Sequence, residues 1–278
     1  MATDKELAAE ARKIALAAAD AIMRIYAAGF EVREKDDASP VTEADETAEA
    51  IIVDGLRKLT PDTPIVAEEM AAAGQIPNVS GRDFWLVDPL DGTREFVGRN
   101  GEFTVNIALI RDGAPVLGVV VAPARGWTFT AYGPGEVTRE ADGGPAEPIA
   151  ARAAGPDGAV VMVSRSHRSP ETEEWLASVK VAEIRDAGSS LKFCLLAAGQ
   201  ADLYPRLGRT MEWDTAAGQA VLVNAGGAVE RLDDGAPLAY GKPGFENPHF
   251  VARGRTAETD GASFETIAAR SPQDEAGN

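Results

Sequence analysis

One run of the sequence restricts the fold more than any other: an apolar stretch that ends on two closely spaced carboxylates. The residues from Phe84 to Val87 are all apolar and lead directly into Asp88, and Asp91 follows after Pro89 and Leu90. A short apolar run bounded by turn residues predicts a buried strand. Because a charged carboxylate is costly to bury, we expect this strand to end at the edge of a sheet. The run "DPLDGT" is also compatible with a plain turn, since Pro and Gly are turn residues.

Further carboxylates occur where other predicted elements begin or end. Glu68 and Glu69 close the predicted strand "PIVAEE", and Asp214 opens a predicted helix. Asp45 lies in the first turn of another helix, three residues after Thr42. Each position has a structural alternative: Asp214 fits an N-cap, and Thr42 with Asp45 fits a capping box.

Taken together, these carboxylates predict a metal site. Side chains at the carboxyl edge of a sheet meet in one place, and several carboxylates gathered there repel one another unless a cation neutralises them. The chain has only two histidines, His167 and His249, and one cysteine, Cys194. Oxygen ligands without a Cys or His cluster favour Mg²⁺ over Zn²⁺. Coincidence of caps and turns is the alternative.

The order of predicted elements indicates two lobes. Apolar spacing predicts a helix from Glu6 to Ala28, closed by Gly29, and a second from about Thr42 to Leu59. Strands then dominate, with a hairpin at the Asp-Gly pair before "APVLGVVVAP". The second half alternates strands and helices. We therefore expect an N-terminal α+β lobe over 1–150 and a C-terminal α/β lobe over 151–278, joined in the Gly- and Pro-rich stretch 133–156. We also expect 30–40 to form an exposed loop.

Composition excludes some partners and favours a compartment. The formal net charge of −17 argues against a nucleic-acid partner, because phosphate-backbone binding relies on clustered Lys and Arg. The apolar N-terminal stretch is interrupted by Lys13, Asp20 and Arg24, so we predict no membrane span. A single cysteine suits a reducing compartment. We expect a cytoplasmic protein, with peripheral association at the inner membrane left open.

A small cationic set stands out in this acidic chain. Lys192 lies in a predicted helix that opens at Gly188-Ser189-Ser190, and Arg206 follows a predicted strand. Free amides at a helix start bind anions, so this set predicts a phosphate pocket. His167 in "VSRSH" is a candidate to contact a nucleobase. The alternative is that Lys192 and Arg206 are surface charges and that His167 caps a helix.

The motifs "VAEE", "WLVDPLDGT" and "WDTAAG" together resemble those of the inositol monophosphatase superfamily, which comprises Mg²⁺-dependent, lithium-sensitive phosphatases. The resemblance runs from "KDDASPVTEAD" to "NPHFVA". The motifs "SPVTEAD", "REFVGRNGEFTVNIALI", "VSRSH" and "GSSLKFCLLAAGQADLYPR" are most similar to the 3′(2′),5′-bisphosphate nucleotidase branch. The resemblance implies an α+β fold, a layered αβαβα sandwich with the metal site between two lobes.

The resemblance also implies a ligand set and a catalytic set. Two Mg²⁺ ions and a weaker third would be held by Glu68, Asp88, the Leu90 carbonyl, Asp91 and Asp214. Asp45, hydrogen-bonded to Thr93, would act as general base, with Glu68 near the third ion. Substrate contacts would come from Gly92, Thr93, His167, Gly188, Ser189, Lys192, Arg206 and Asp214. Lys35 from the loop would also reach the substrate.

The implied function is hydrolysis of the 3′-phosphate of adenosine 3′,5′-bisphosphate to give AMP, with the 5′-phosphosulfate relative as a further substrate. Such an enzyme would remove a by-product of sulfur assimilation, as a monomer or homodimer. The alternatives are a phosphatase for inositol 1-phosphate, histidinol phosphate or another small monoester, and a non-catalytic regulatory protein that keeps the metal site.

Overall fold

The computed structural model describes residues 2–34, 40–166 and 169–256. The helices in these ranges are α1 (Asp4–Ala28), α2 (Glu43–Leu59), α3 (Glu68–Ala72), α4 (Thr93–Val97), α5 (Pro170–Ala177), α6 (Leu191–Ala197) and α7 (Glu212–Asn224). The strands are β1 (Val32–Glu34), β2 (Pro40–Thr42), β3 (Ile65–Ala67), β4 (Phe84–Asp91), β5 (Thr104–Arg111), β6 (Ala114–Ala122), β7 (Trp127–Ala131), β8 (Val137–Ala141), β9 (Glu147–Pro148), β10 (Ala159–Ser164), β11 (Val181–Ala187), β12 (Leu203–Arg206), β13 (Ala228–Arg231) and β14 (Phe250–Arg253). Short 3₁₀ turns occur at Pro123–Arg125 and Pro243–Phe245.

Both long N-terminal helices begin at capping boxes. The Thr3 side chain accepts from the Glu6 amide, and the Glu6 carboxylate accepts from the Thr3 amide at 2.8 Å. Thr42 and Asp45 repeat this arrangement at the start of α2. Reciprocal bonds of this kind satisfy amides that a helix leaves unpaired. The two predicted helices are confirmed, although α1 begins slightly earlier, at Asp4.

The first half of the chain builds a seven-stranded sheet in the order β3-β4-β5-β6-β7-β8-β9. Its pairs are antiparallel except β3 with β4, which is parallel. The predicted hairpin is confirmed, since β5 ends at Arg111 and β6 begins at Ala114. Side chains of β4 alternate between the faces of the sheet: Phe84 and Leu86 enter one core cluster, and Trp85 and Val87 enter the other.

The second half builds a five-stranded sheet in the order β11-β10-β12-β14-β13. The three strands β10, β11 and β12 run parallel, and β14 is antiparallel to both of its neighbours. The carboxyl ends of the parallel strands therefore lie at one edge, where the turns that follow them meet.

Helices separate and cover these sheets. α1 and α2 pack on one face of the first sheet, and α7 packs on its other face together with α6. α7 approaches closely because residue 118 is glycine: a Cβ there would lie 2.5 Å from the Ala217 carbonyl oxygen. α5 covers the far face of the second sheet through Leu176 and Trp175. The predicted layered αβαβα sandwich is confirmed.

Some expectations about the chain between these elements were incomplete. The loop predicted over 30–40 contains β1 and the first residue of β2, and these two strands pair antiparallel. The stretch 133–156 contains β8 and the edge strand β9, which still belong to the first sheet. One core cluster joins Phe84 of the first half to Phe193 and Phe250 of the second. The division into lobes at residue 150 stays a prediction.

Candidate active site

The end of β4 places two aspartates on one side of the chain. Asp88 pairs with Asn106 and Asp91 with Thr104 on β5, and the register shifts between the two pairs. The Asp88 side chain, with only 1% of its surface exposed, accepts a bond of 3.0 Å from the Leu90 amide. Pro89 between them has no amide to pair with β5. β4 continues through the predicted turn to Asp91, so the prediction that the strand ends at Asp88 was wrong, and Asp88 is buried within the strand.

The turn after Asp91 brings Thr93 to Asp45. Gly92 adopts a left-handed conformation with φ of 90°, which glycine tolerates at no steric cost, and α4 begins at the next residue. The Thr93 hydroxyl oxygen lies 3.3 Å from Asp45 Oδ1 and 3.3 Å from the Leu90 carbonyl oxygen. Asp45 Oδ2 accepts from the Thr42 amide and hydroxyl, each at 2.8 Å. One carboxylate therefore caps α2 and also contacts Thr93.

Glu68 reaches the site from a helix and not from a strand end. The prediction that Glu68 and Glu69 close a strand was wrong, because β3 ends at Ala67 and both residues begin α3. The N-cap of α3, Ala67, has no side-chain cap. Glu49 of α2 replaces it by accepting a 2.7 Å bond from the Glu69 amide. The two helices α2 and α3 are thus joined beside the site.

Asp214 occupies the third position of α7. Its Oδ2 accepts from the Met211 amide at 2.9 Å. The prediction that Asp214 is the N-cap was wrong, because Met211 is the N-cap residue and Asp214 caps the helix from its third position. Ser190 connects this helix to the β4 turn: its hydroxyl donates to the Asp214 carbonyl oxygen at 2.6 Å, and its amide donates to Asp91 Oδ2 at 2.6 Å. Asn106 donates to the same oxygen of Asp91 at 3.3 Å.

The carboxylates repel one another. Burial, with the charges of Glu68, Asp91 and Asp214, raises the pKa of Asp88 well above its usual range. Burial and the charges of Asp91 and Glu68 raise the pKa of Asp214 to about 8. Burial also raises the pKa of Asp91, against the opposing effect of Lys192. Negative charge is therefore concentrated here beyond what the surrounding groups neutralise.

This donor set suits a hard cation in its chemistry. The ligand atoms are carboxylate and carbonyl oxygens, which Mg²⁺ prefers. In the described ranges, however, no three Asp, Glu, His or Cys side chains are already gathered as a metal ligand set. Asp88, Asp91 and Asp214 each accept from a nearby backbone amide. The residues fit a metal by charge and donor type.

Glu68, Asp88, Asp91 and Asp214 line one cavity of about 450 Å³, and two cations line it as well. Lys192 and Arg206 line it together with the four carboxylates, and only 3% and 8% of their surfaces are exposed. Lys192 Nζ donates to the backbone oxygens of Ala187 and Ser189 at 3.2 and 2.6 Å. Burial lowers the pKa of Lys192 to about 8, with Arg206 lowering it and Asp91 opposing the shift. The view of both residues as surface charges was therefore wrong.

The turn 188–190 differs from its prediction. α6 begins at Leu191, and the amides ahead of it are engaged: the Gly188 amide donates to Glu102 Oε2 at 3.0 Å and the Ser190 amide to Asp91. The prediction of free anion-binding amides was wrong for these two residues. Gly188 and Ser189 nevertheless line the cavity. His167 and Lys35 lie outside the described residues.

Sequence reasoning missed three residues that hold the site together: Glu49, Glu102 and Asn106. Glu49 could have been found, because it lies four residues after Asp45 and therefore on the same helix face. Asn106 lies beside Asp88 only because β4 and β5 pair, which no local pattern indicates. Glu102 contacts a residue 86 positions away, which no local pattern indicates.

Comparisons with known proteins agree with this fold. The inositol monophosphatase family matches residues 3–271. The 3′(2′),5′-bisphosphate nucleotidase CysQ of Escherichia coli O157:H7 is 48% identical over 241 residues, covering 86% of this chain and 96% of the relative. The structure of CysQ from Bacteroides thetaiotaomicron has a TM-score of 0.72 and 37% identity, covering 90% of this chain and 97% of that one. An inositol monophosphatase from Zymomonas mobilis has a TM-score of 0.74 and 25% identity, covering 96% and 100%.

Proposed function

Because this chain belongs to the inositol monophosphatase family, we propose that it is a Mg²⁺-dependent 3′(2′),5′-bisphosphate nucleotidase that converts adenosine 3′,5′-bisphosphate to AMP. One observation supports this substrate most: a single cavity is lined both by carboxylates, of which Asp88 is buried, and by the buried cations Lys192 and Arg206. A substrate with two phosphates on one ribose needs a metal site and a second cationic site. A sugar with one phosphate needs only the first.

Glu68, Asp88, the Leu90 carbonyl, Asp91 and Asp214 would hold two Mg²⁺ ions, with a weaker third near Glu68. When bound, Mg²⁺ polarises phosphoryl oxygens, lowers the pKa of water and stabilises a leaving oxygen. The ions would also neutralise the mutual repulsion that raises the pKa of Asp88. The number of ions stays a prediction.

Asp45 is the proposed general base. Thr42 fixes Oδ2 of its carboxylate, so Oδ1 faces the Thr93 hydroxyl at 3.3 Å. A base held in this way can accept a proton at Oδ1 from an attacking water without rotating. Thr93 would orient that water, because its hydroxyl proton is shared between Asp45 and the Leu90 carbonyl and its oxygen can still accept.

Lys192 and Arg206 would bind the phosphate that is not cleaved. Both are buried, and a buried cation interacts more strongly with an anion than an exposed one does. Gly188 and Ser189 would border this phosphate, and Gly92, Thr93 and Asp214 the one that reacts. The 5′-phosphosulfate relative of the substrate fits the same arrangement, which would place the enzyme at by-product removal in sulfur assimilation.

The location, oligomeric state and partners of the protein are proposed in outline. No helix in the described part of the chain is long and apolar enough to cross a membrane. A cytoplasmic location, a monomeric or homodimeric state and the absence of a nucleic-acid partner stay predictions.

The test is phosphate release with Mg²⁺ from adenosine 3′,5′-bisphosphate and, in parallel, from inositol 1-phosphate, with Asp88→Asn as the inactive control. We expect a kcat/KM for the nucleotide at least about 100-fold higher than for the inositol ester, because the second phosphate adds charge-assisted bonds. Preference for the inositol ester would refute the role of Lys192 and Arg206. Mg²⁺ binding without release from either ester, or from histidinol phosphate, would indicate a regulatory protein.

A further inference from the structure

Glu102 lies in the loop between α4 and β5 and connects the two sheets. Its side chain, 8% exposed, accepts bonds from both halves of the chain. Oε2 accepts from the Gly188 amide at 3.0 Å and from Arg165 Nε at 2.8 Å. Oε1 accepts from Arg165 Nη2 at 3.1 Å and from Arg125 Nη2 at 2.9 Å. One buried carboxylate therefore joins the ends of β10 and β11 to the first sheet.

The backbone of Glu102 contacts two turns of the active site. A Cβ on Gly188 would lie 2.6 Å from the Glu102 carbonyl oxygen, and a Cβ on Gly92 would lie 3.2 Å from the same oxygen. Gly92 is in the turn that carries Asp91 and Thr93, and Gly188 begins the turn that carries Ser189 and Ser190. The side chain and backbone of one residue thus fix the distance between these turns.

The distance between the turns affects both the carboxylates and the cations that line the cavity. The Ser190 amide donates to Asp91 Oδ2 at 2.6 Å, and the Ser189 carbonyl oxygen accepts from Lys192 at 2.6 Å. A shift of the 188–190 turn would therefore move Asp91 and Lys192 together. Displacements of about 1 Å at reacting groups can reduce rates about 100-fold.

The charge of Glu102 also needs compensation. The residue lies in the loop next to a cavity that we assign to a doubly anionic substrate, and an unpaired carboxylate there would repel it. Arg165 and Arg125 pair with the carboxylate directly. Burial alone would raise the pKa of Glu102, but the bonds from Arg165 and Gly188 hold that pKa below its usual value.

We propose that Glu102 is a positioning residue for substrate binding, which holds the 188–190 turn against the Asp91–Thr93 turn while Arg165 and Arg125 neutralise its charge. The substrate part of this inference rests on the proposed function. The mechanical part concerns only the turn and can be measured without substrate.

The kinetic test compares Glu102→Ala, Glu102→Gln, Arg165→Gln and the double variant Glu102→Gln/Arg165→Gln. For adenosine 3′,5′-bisphosphate we expect Glu102→Ala to lower kcat/KM on the order of 100-fold, with the rise in KM larger than the fall in kcat. Glu102→Gln keeps an acceptor for Gly188 and should restore most of the affinity. Arg165→Gln alone should raise KM more than the double variant does, because it removes one of the two arginines that compensate a buried charge. Glu183→Ala, which removes an exposed partner of Arg185, is the matched control and should change nothing.

The mechanical test is amide hydrogen exchange of the peptide spanning 187–191 in metal-free, substrate-free protein. We expect exchange at least about tenfold faster in Glu102→Ala, with α7 unchanged, because one anchoring bond is lost. If the wild type does not hydrolyse the bisphosphate but exchange accelerates as expected, the proposed function fails and the positioning role stands. Unchanged exchange overturns the positioning role. Equal losses of kcat, affinity and thermal stability in Glu102→Gln also overturn it, since they indicate a merely structural residue.

Discussion

Two sets of charged residues line the cavity: the acidic set (Glu68, Asp88, Asp91 and Asp214) and the cationic set (Lys192 and Arg206). In the acidic set, burial and the charges of Asp91 and Glu68 raise the pKa of Asp214 to about 8. In the cationic set, burial lowers the pKa of Lys192 to about 8, and the charge of Arg206 acts in the same direction. Like charges that are gathered out of water destabilise the ligand-free fold.

The two sets differ in how the protein compensates their charges. Asp91 opposes the loss of charge at Lys192, so the cationic set has partial compensation from the acidic set. Asp88 and Asp214, by contrast, are surrounded mainly by other carboxylates. A bound cation therefore has more repulsion to remove than a bound phosphate has. We expect variants in the acidic set to have the larger effects.

The largest effect is expected from Asp88→Asn. Loss of the central carboxylate should reduce kcat on the order of 10³-fold or more, because metal-assisted hydrolysis depends on it. In metal-free buffer the same variant should gain about 1–3 kcal/mol in free energy of unfolding, since a buried repelling charge is removed. Activity assays and denaturant titration with EDTA measure both. Asp157→Asn, at an exposed position, should change neither quantity, and a destabilised Asp88→Asn protein would contradict the comparison.

Lys192→Met should give the next largest effect. Removing the buried ammonium should raise KM for the bisphosphate about 10- to 100-fold and should affect a monophosphate ester less, because charge-assisted bonds to one phosphate are lost. Lys180→Met is the matched control: Lys180 also donates to a backbone oxygen, that of Pro156 at 2.8 Å, but at an exposed position. Equal losses of affinity for the bisphosphate and for the monophosphate ester would contradict the assignment of Lys192 to the phosphate that is not cleaved.

Glu49→Gln tests how burial changes the pKa of a carboxylate that lies beside the acidic set. Burial raises the pKa of Glu49 from 4.5 to about 7, against the bond from the Glu69 amide. The folded state therefore holds its proton more tightly than the unfolded state, so Glu49 makes the fold less stable as pH rises from about 4.5 to 7. Without metal, the variant should match the wild type near pH 4.5 and exceed it at pH 8 by on the order of 2 kcal/mol. Thermal unfolding across this range measures the difference, and a constant difference would refute the assignment.

The smallest effect is expected from Thr210→Val. The Thr210 hydroxyl and Arg206 Nε are buried without a hydrogen-bond partner among the described residues, and both residues line the cavity. If ligand binding satisfies the hydroxyl, the valine variant should raise KM for the bisphosphate about two- to tenfold without lowering the melting temperature. Thr210→Ser should restore the affinity. Thr130→Val, which removes another unpaired buried hydroxyl in β7, should leave KM unchanged.

Much of the fold could be predicted because its signals are local. The hairpin at Asp112-Gly113, the helix cap at Thr42 and the alternation of β4 follow from turn chemistry, capping and periodicity. The strands β1, β2, β8, β9 and β14 were missed, and length alone is not the reason, because the three-residue strand β3 was predicted. These segments form strands because they pair with a neighbouring strand.

By itself, the sequence determined which residues carry the chemistry: the carboxylates around "DPLDGT", the aspartate that caps α7 and the few cations of an acidic chain. Only the tertiary structure decided how they are held. It placed Glu68 at the start of a helix, directed the Gly188 amide to Glu102 across 86 positions, and buried Lys192. The physical reason is that a local pattern records the conformation of neighbouring residues, whereas burial and long-range hydrogen bonds depend on which layers pack together.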